Sequence, residues 1–160
     1  MIRDAGKADA KSICEIYNPY ILDTTISFET EPVSESAMTE RILNNNPLPW
    51  LVFEEKNSIL GYAYAYKWRV RNAYRYSVER AVYLNPGVTG RGIGSELYTE
   101  LLKRLKYMGI HVVIGGIAIP NPASIALHEK FGFQKVAHFK SVGFKFEKWI
   151  DVGYWELIFK

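Results

Sequence analysis

The sequence predicts an α+β domain, and three features of the chain support this prediction. A strand pattern at residues 77–84 leads into the glycine-rich segment T-G-R-G-I-G-S and then into a helical stripe of leucines. A nearly apolar run at residues 110–119 precedes a second helix that starts at an Asn-Pro pair. Two long strand patterns, at residues 133–146 and 149–159, follow. Together they predict a βαβα unit followed by a hairpin.

The composition suits one self-sufficient domain over residues 1–160. Of the 160 residues 48% are hydrophobic and 23% charged, so a core can form without disulfides, and no metal site is expected. A net charge of +3 indicates neither a nucleic-acid nor a membrane partner. The single cysteine, Cys14, and a start without an apolar leader predict a cytoplasmic location.

The N-terminal part of the chain indicates an edge strand and two helices. Residues 1–5 suit a short edge strand, and Asp9 suits the N-cap of a helix with apolar residues at three- and four-residue spacing. Pro19 falls inside that pattern and is expected to kink or end the helix. The next segment, D-T-T-I-S-F-E-T-E-P, is predicted to be a loop in which Phe28 is a candidate pocket wall. Ser34 then caps a second helix, which the N-N-N-P-L-P cluster ends.

Two strands follow, at residues 50–53 and 59–67. In the second strand Tyr62, Tyr64 and Tyr66 alternate with alanines, so large rings take one face of the sheet and small residues take the other. The alanine face is expected to accept a packed helix.

The connection at residues 68–76 is dense in arginine and aromatic side chains. A solvated hairpin loop would have this composition. A guanidinium clamp for a carboxylate or phosphinate would have it too, because the planar fork of arginine matches such groups. These residues alone leave both interpretations open.

Glu79 is an acid within the strand at residues 77–84. A carboxylate in a central strand is costly unless it is paired or kept neutral. A salt bridge to Arg80 or Arg75 and a role as a functional base are the competing interpretations.

Gly90, Gly92 and Gly94 alternate in the turn before the next helix. Glycine lets the backbone approach a ligand closely, so successive N–H groups can line an anion site at the helix N-terminus. The dinucleotide-binding pattern would need a glycine at Ser95 or Leu97, and a P-loop needs lysine after its last glycine, so both are excluded. A turn that serves only tight strand-to-helix packing remains the alternative.

The last predicted helix starts at Asn121 and Pro122 and stops at Gly132. Ser124 and His128 are four residues apart and share a face of this helix. A satisfied core histidine is the alternative to a functional role for His128.

Two ordered motifs carry a family resemblance. The segment T-G-R-G-I-G fits the turn R/Q-x-x-G-x-G/A, with Thr89 where arginine or glutamine is usual, and residues 121–133 fit N-x-x-A/S-x-x-x-Y/H-x-x-x-G-F. In both motifs the chain resembles the GNAT superfamily of acyl-CoA-dependent N-acetyltransferases. The resemblance implies a three-layer α/β/α fold with about four helices and a mixed, mostly antiparallel sheet of six to seven strands. It also implies acetyl-CoA as cofactor, bound where a parallel strand pair splays apart.

A closer resemblance covers almost the whole chain and is carried by segments such as S-F-E-T-E-P, V-E-R-A-V-Y-L and W-I-D-V-G-Y-W. They are similar to the phosphinothricin and methionine sulfoximine N-acetyltransferases. This implies a small amino-acid substrate or analogue and a homodimer. Some members carry histidine where this chain has Phe146 and Ile150.

The resemblance also implies roles for individual residues. Glu79 would be the general base, and His128 would stand where many relatives carry an acid tyrosine. The implied cofactor contacts are Val82, Tyr83, Leu84, Gly90, Arg91, Gly92, Ile93, Gly94, Ser95 and Asn121. The implied substrate contacts are Phe28, Arg69, Arg71 and Tyr74.

Acetyl transfer from a thioester to an amine needs a base, a site for the carbonyl oxyanion and a proton for the thiolate. Burial would have to raise the pKa of Glu79 from its ordinary value of about 4.3. Backbone N–H groups of residues 82–84 would meet the oxyanion if a local irregularity leaves one unpaired. His128 would protonate the thiolate or help to hold a water. Cys14 lies among apolar helix positions, so direct transfer is expected rather than an acyl-enzyme.

Two other functions are compatible with these motifs. A protein or peptide N-acetyltransferase would need an open groove, and a noncatalytic acyl-CoA sensor would keep the glycine turn without the chemistry. The presence of both Glu79 and His128 argues against the sensor. Because Thr89 replaces the usual arginine or glutamine, phosphate binding is expected to depend on backbone N–H groups and on Arg91.

Overall fold

The computed structural model covers residues 1–160 and contains every predicted strand and helix. The strands are β1 (Ile2–Asp4), β2 (Trp50–Glu55), β3 (Ser58–Lys67), β4 (Ser77–Leu84), β5 (Val112–Ile119), β6 (Gln134–Lys145) and β7 (Lys148–Ile158). The helices are α1 (Ala10–Asp23), α2 (Glu35–Asn44), α3 (Ile93–Tyr107) and α4 (Pro122–Lys130). None of these helices has both the length and the apolarity that a membrane span requires.

The strands form one sheet in the order β1-β2-β3-β4-β5-β7-β6. Every neighbouring pair is antiparallel except β4 and β5. Helices α1 and α2 cover one face of the sheet, where Trp50 and Tyr62 belong to their buried cluster. Helix α3 covers the other face. This confirms the predicted three-layer fold with a mixed, mostly antiparallel sheet.

Helix α3 packs on the alanine face of β3, as the alternation predicts. Ala63 and Ala65 share a buried cluster with Leu97 and Leu101, and all four residues are fully buried. Each buried leucine side chain contributes about 2 kcal/mol relative to an exposed one. The small residues of β3 therefore fix the position of α3, and with it the glycine turn at its N-terminus.

Helix α1 starts after the predicted N-cap residue but lacks the expected capping bond, and it continues past Pro19. Asp9 holds the N-cap position, but its carboxylate makes no capping bond to the helix and instead pairs with Arg3 at 2.8 Å. Pro19 does not end the helix, which continues to Asp23. Ile21, two residues beyond the proline, is only 1% exposed, so tertiary packing holds the last turn despite the missing hydrogen bond.

Strand β5 is only partly the buried parallel strand that its apolar run predicts. It pairs with β4 from Ser77↔Val112 to Glu79↔Ile114 and no further. Along its other edge it is antiparallel to β7 over its full length. The two central strands are therefore joined at one end and separate at the other.

Candidate active site

The separation of β4 and β5 opens a cleft through the middle of the sheet. Its volume is about 660 Å³, and its lining includes Glu79, Val82 and Ala81 from β4 and Gly116 and Ile117 from β5. The last paired residue of β4 is Glu79, so this side chain lies where the strands begin to part.

The alternation of hydrogen bonds shows which backbone groups of β4 face this cleft. The Trp68 N–H donates to the Ser77 carbonyl at 3.3 Å, and the Asn85 N–H donates to the Leu60 carbonyl at 2.9 Å. Residues with odd numbers in β4 therefore direct their N–H and carbonyl groups toward β3. Residues with even numbers direct theirs toward β5.

The N–H groups of Val82 and Leu84 consequently face the gap, where β5 offers no partner. The β3–β4 register runs without a shift from Gly61↔Leu84 to Lys67↔Val78, so the local irregularity that was expected to free an N–H group is absent. The splay itself leaves these donors available. Tyr83 differs from its neighbours because its backbone groups face β3, and only its side chain lines the cleft.

Glu79 is half-buried, and this burial raises the pKa of its carboxyl group. The Tyr66 hydroxyl, the charges of Arg80 and Arg69 and the Gly116 N–H partly offset that rise. The carboxylate lies directly over Gly116, where an added Cβ would stand 3.1 Å from Oε1. A proton acceptor with a raised pKa thus faces the cleft, which is what a general base requires.

A salt bridge does not account for Glu79. The carboxylate forms none of the ion pairs of the chain. Arg75 instead stacks on Tyr76, with its guanidinium carbon 4.5 Å from the ring centroid. Of the two interpretations left open by the sequence, the geometry favours the functional one.

The structure does not favour His128 as an acid. The side chain is 1% exposed, and both ring nitrogens have partners: Nδ1 lies 2.5 Å from the Ser124 carbonyl and Nε2 lies 2.7 Å from the Tyr98 hydroxyl. A carbonyl can only accept, so Nδ1 carries the proton and Nε2 accepts from Tyr98. Burial and the charge of Arg80 lower the pKa of His128 to about 3. His128 is a neutral, satisfied core histidine that does not line the cleft.

The glycine turn at the start of α3 is open, as the predicted anion site requires. Gly90 and Gly92 both have φ of +82°, and an added Cβ at either would meet no atom within 4 Å. Gly92 is the N-cap and supplies no capping side chain. The N–H groups of residues 90–95 donate no hydrogen bond within the protein. Free N–H groups at a helix N-terminus fit a pyrophosphate such as that of coenzyme A.

Arg91 does not point into this anion site. Its Nη2 contacts both carboxylate oxygens of Glu55, at 2.9 and 3.0 Å, in an exposed ion pair. The expectation that Arg91 supports phosphate binding is therefore not favoured. Lys130 is nearer, because its Nζ donates to the Ser95 hydroxyl at 3.1 Å.

Asn121 lies at the cleft and also starts α4. Its Oδ1 accepts from the Ser124 N–H at 3.2 Å, which is the predicted capping bond. Both residues line the cleft. Asn121 therefore caps α4 and borders the cleft, and its cofactor contact stays a prediction.

The four predicted substrate residues are not all brought together. Phe28 lines the cleft and packs so closely on Gly143 that an added Cβ would lie 2.5 Å from its ring. Arg69 stacks on Trp68 at 4.1 Å, but it is exposed and does not line the cleft. Arg71 and Tyr74 are exposed and do not line the cleft.

Several residues of the site were missed in the sequence. Tyr66 and Tyr154 line the cleft on the side of Glu79. The alternation in β3 places Tyr66 on the face of the sheet that carries the large rings, and this pattern is the signal in the sequence that indicates it. Lys145 fastens the loop that carries Phe28, donating to the carbonyls of Thr24 and Ser27 at 2.7 Å each. No local pattern marks a contact that spans so much of the chain.

Comparison with known proteins assigns the family. Residues 2–153 match the acetyltransferase (GNAT) domain. The chain is 38% identical to the phosphinothricin N-acetyltransferase of Streptomyces viridochromogenes, covering 99% of this chain and 87% of the relative. It is 35% identical to the L-methionine sulfoximine/L-methionine sulfone acetyltransferase of Salmonella typhimurium, covering 98% and 92%. The chain belongs to the GNAT acetyltransferase family and is an acyltransferase.

Solved structures share the fold over nearly the whole chain. A phosphinothricin acetyltransferase of Sinorhizobium meliloti in complex with acetyl-CoA superposes with a TM-score of 0.95 at 38% identity, covering 99% of this chain and 87% of that one. A ribosomal-protein-alanine N-acetyltransferase of Brucella melitensis superposes with a TM-score of 0.97 at 34% identity, covering 99% of both. The acetyl-CoA in the Sinorhizobium meliloti complex agrees with the cofactor that is predicted for this chain.

Proposed function

We propose that this acyltransferase uses acetyl-CoA to acetylate the α-amino group of a small amino acid or analogue in the cytoplasm. Phosphinothricin, methionine sulfoximine and methionine sulfone represent the substrate class. The observation that carries the proposal is the position of Glu79, a partly buried carboxylate at the point where β4 and β5 part. The substrates of the two relatives support the choice of amine.

Each end of the cleft would serve a different part of the reaction. The free N–H groups of residues 90–95 would hold the pyrophosphate, and Asn121 would border the pantetheine channel. When bound, acetyl-CoA supplies a thioester whose carbonyl carbon accepts the amine nitrogen and whose sulfur leaves with the bonding electron pair. Glu79 takes a proton from the substrate ammonium group, directly or through a water, so that a neutral amine can attack.

The oxyanion would be met by backbone donors of β4. Val82 and Leu84 direct their N–H groups into the gap, and one such donor is worth about 3 kcal/mol in a preorganised site. Cys14 is buried in the α1–α2 cluster, away from the cleft lining, so transfer is direct and forms no acyl-enzyme.

The substrate side of the cleft suits an amino acid with a second polar or acidic group. Tyr66 and Tyr154 supply hydroxyl groups there, and Phe28 closes the wall. Arg69 adds positive charge on this side of the cleft. Its guanidinium is near enough to Tyr154 to oppose the rise that burial causes in the pKa of that residue. A zwitterion with an additional acidic group would be attracted by this charge.

The decisive experiment is a thiol-release assay with acetyl-CoA across free amino acids, their sulfoximine and sulfone analogues, and phosphinothricin. We expect turnover with members of this class and the highest kcat/KM for one of the analogues. Mass spectrometry of the product locates the acetyl group on the α-nitrogen. Failure to acetylate any free amino acid or analogue would remove the proposed substrate class.

A peptide N-terminus is the second candidate. The similarity to the Brucella melitensis ribosomal-protein-alanine N-acetyltransferase favours it. Peptides with N-terminal alanine belong in the same assay, with the free amino acid as the matched control. Preference for the peptide by at least about tenfold in kcat/KM, about 1.4 kcal/mol, would favour this candidate.

We also propose that the protein is a homodimer. Strand β6 lies at the edge of the sheet, and the paired rings of Phe144 and Trp149 are 58% and 69% exposed beside it. Long unpaired edges and exposed aromatic pairs favour association. Light scattering after size exclusion should give a two-chain mass for the parent and a one-chain mass for Trp149→Lys. A one-chain parent would exclude the dimer.

A further inference from the structure

Arg80 is a buried cation without an anionic or hydrogen-bonding partner. The residue is 8% exposed, and its Nε and Nη2 atoms are inaccessible and have no hydrogen-bond acceptor. It takes part in no salt bridge of the chain. Buried charges in proteins are normally paired, because removal from water costs several kcal/mol. An unpaired guanidinium in a cleft therefore calls for an anion that comes from outside.

Side chains along β4 alternate between the two faces of the sheet, and this alternation determines the face on which the Arg80 guanidinium lies. Glu79 faces Tyr66, Gly116 and Tyr154, on the substrate side. Its neighbour Arg80 must point to the opposite face. There its guanidinium lies 5.5 Å from the centre of the Tyr98 ring of α3.

The groups packed around the guanidinium are all neutral. Tyr98 comes from α3, His128 from α4 and Gly115 from β5, where an added Cβ would stand 2.3 Å from Nη2 and 2.6 Å from His128 Nε2. Glu79 is the nearest carboxylate along the strand, but it faces away. The charge of Arg80 therefore acts on the face of the cleft that holds the glycine turn and Asn121.

The position of Arg80 along β4 shows which anion of the cofactor its charge can reach, the pyrophosphate or the thiolate formed at the reacting end. Arg80 lies four residues before Leu84, about 13 Å at about 3.3 Å per residue. The glycine turn, with its own free N–H groups for a pyrophosphate, lies beyond Leu84. Arg80 is instead adjacent to Glu79, so it lies at the reacting end of the cleft.

We propose that Arg80 is a catalytic residue that stabilises the negative charge on the sulfur leaving group during acetyl transfer. This inference rests on the proposed function. The substrate ammonium group loses two protons in the reaction. Glu79 takes the first, so that the neutral amine attacks; the C–N bond forms as the C–S bond breaks, and the electron pair stays on sulfur. The second proton leaves the acylated nitrogen for solvent water. Arg80 keeps its own protons throughout and balances the thiolate by charge. It thereby supplies at the sulfur the stabilisation that neutral His128 cannot give.

The test measures the thiol of coenzyme A bound to the protein without an amine. Its ionisation is followed by ultraviolet absorbance as a function of pH, for the parent and for Arg80→Lys, Arg80→Met and Arg75→Met. We expect the bound thiol to ionise at lower pH than free coenzyme A in the parent and in the control Arg75→Met. Arg80→Lys should retain part of the shift, and Arg80→Met should lose it.

Kinetics and binding complete the experiment. Arg80→Met should lower kcat about 10- to 100-fold, the range of one charge-assisted hydrogen bond, while the Kd of acetyl-CoA changes less than about threefold. If Arg80 had a purely structural role, Arg80→Met would lower the melting temperature and leave the ionisation of the bound thiol unchanged. Arg80→Met is expected to melt no lower than the parent, because it removes an unpaired buried charge.

The outcomes separate this inference from the proposed function. If the parent acetylates amino acids but its bound thiol ionises like free coenzyme A, the role of Arg80 is overturned and the proposed function stands. This measurement needs only the parent protein, so it decides even where a variant does not fold. If the parent binds coenzyme A and acetylates no amine, the proposed function fails instead. Loss of amino-acid affinity alone in Arg80→Met would place Arg80 on the substrate and would also overturn the inference.

Discussion

The Tyr98 hydroxyl and His128 Nε2 are 2.7 Å apart in the interior between α3 and α4. This hydrogen bond fixes His128 as a neutral ring, together with the bond from Nδ1 to the Ser124 carbonyl. The folded state holds the pKa of His128 at about 3, well below its ordinary value of 6.5. The unfolded chain therefore binds this proton more readily, and the stability that neutral His128 contributes is lost as the pH falls from 6.5 toward 3.

The first prediction concerns His128→Gln. Between pH 7 and 4 the parent should lose more unfolding free energy than the variant, by up to about 1.4 kcal/mol per pH unit. Urea titrations at several pH values measure this difference. The pH–rate profile of the variant should keep the same limbs as the parent. Loss of one limb in His128→Gln would instead restore His128 as the acid of the reaction.

The second prediction concerns Glu79→Gln. Glutamine keeps the shape of the side chain but cannot take a proton, so kcat/KM should fall about 10²- to 10⁴-fold. Burial raises the pKa of Glu79, so the activity of the parent should fall as the pH drops through that raised value. The variant should lack this acidic limb and should bind acetyl-CoA as the parent does.

The control for Glu79→Gln is Glu15→Gln, an exposed acid on α1. It should leave the pH–rate profile unchanged. Because ionised Glu79 is disfavoured by burial, its replacement should also leave stability at pH 7 equal or higher. Activity of Glu79→Gln within a few-fold of the parent at every pH would exclude Glu79 as the base.

The third prediction concerns Lys145→Met. Lys145 is 6% exposed, and from β6 it donates hydrogen bonds to the carbonyls of Thr24 and Ser27. Both carbonyls belong to the segment that directly precedes Phe28. Methionine leaves both carbonyls without this donor, at a cost of about 1–3 kcal/mol in stability. With Phe28 less firmly held, KM for the amino acid should rise about tenfold, about 1.4 kcal/mol, while the Kd of acetyl-CoA stays constant.

Lys140→Met provides the matched control for Lys145→Met. Lys140 lies on the same strand, but its side chain is exposed. It should change neither KM nor the unfolding free energy. An unchanged KM in Lys145→Met, together with lower stability, would limit Lys145 to a structural role.

The elements were predictable wherever the signal is local. The Ser34 hydroxyl accepts from the Ala37 N–H at 3.1 Å, and Asn121 caps α4 in the same way, both as the capping residues indicate. The position of Glu79 in β4 was also predictable, because Ser77–Leu84 matches the predicted strand. These features depend on residues within a few positions of each other.

The remaining features of the site depend on contacts between distant parts of the chain. Lys145 and Thr24 are 121 residues apart, and neither position predicts the other. The sequence indicates Arg80 only as a possible partner of Glu79, because a sequence does not show whether a charge is left unpaired. His128 was assigned by its motif, whereas its protonation depends on Tyr98 and on the charge of Arg80.

The fourth prediction compares two glycines with the same backbone strain. Gly92 has φ of +82° at the start of α3, and Gly109 has φ of +80° just past its end. Alanine at either position should lower stability by about 1 kcal/mol, because L-residues disfavour the left-handed region. Only Gly92→Ala places a methyl group beside the free N–H groups of residues 90–95. Calorimetry should therefore show about tenfold weaker coenzyme A binding, about 1.4 kcal/mol, for Gly92→Ala and parent-like binding for Gly109→Ala.

Acetylpantetheine, which lacks the pyrophosphate, shows which part of the cofactor the turn holds. Because the N–H groups of the turn would bind the pyrophosphate alone, Gly92→Ala should bind acetylpantetheine as well as the parent does. Equal weakening for both ligands would mean that the substitution distorts the whole cleft. Equal coenzyme A affinity in Gly92→Ala and Gly109→Ala would mean that the phosphate lies elsewhere. The turn would then serve only to pack the N-terminus of α3 against the end of β4.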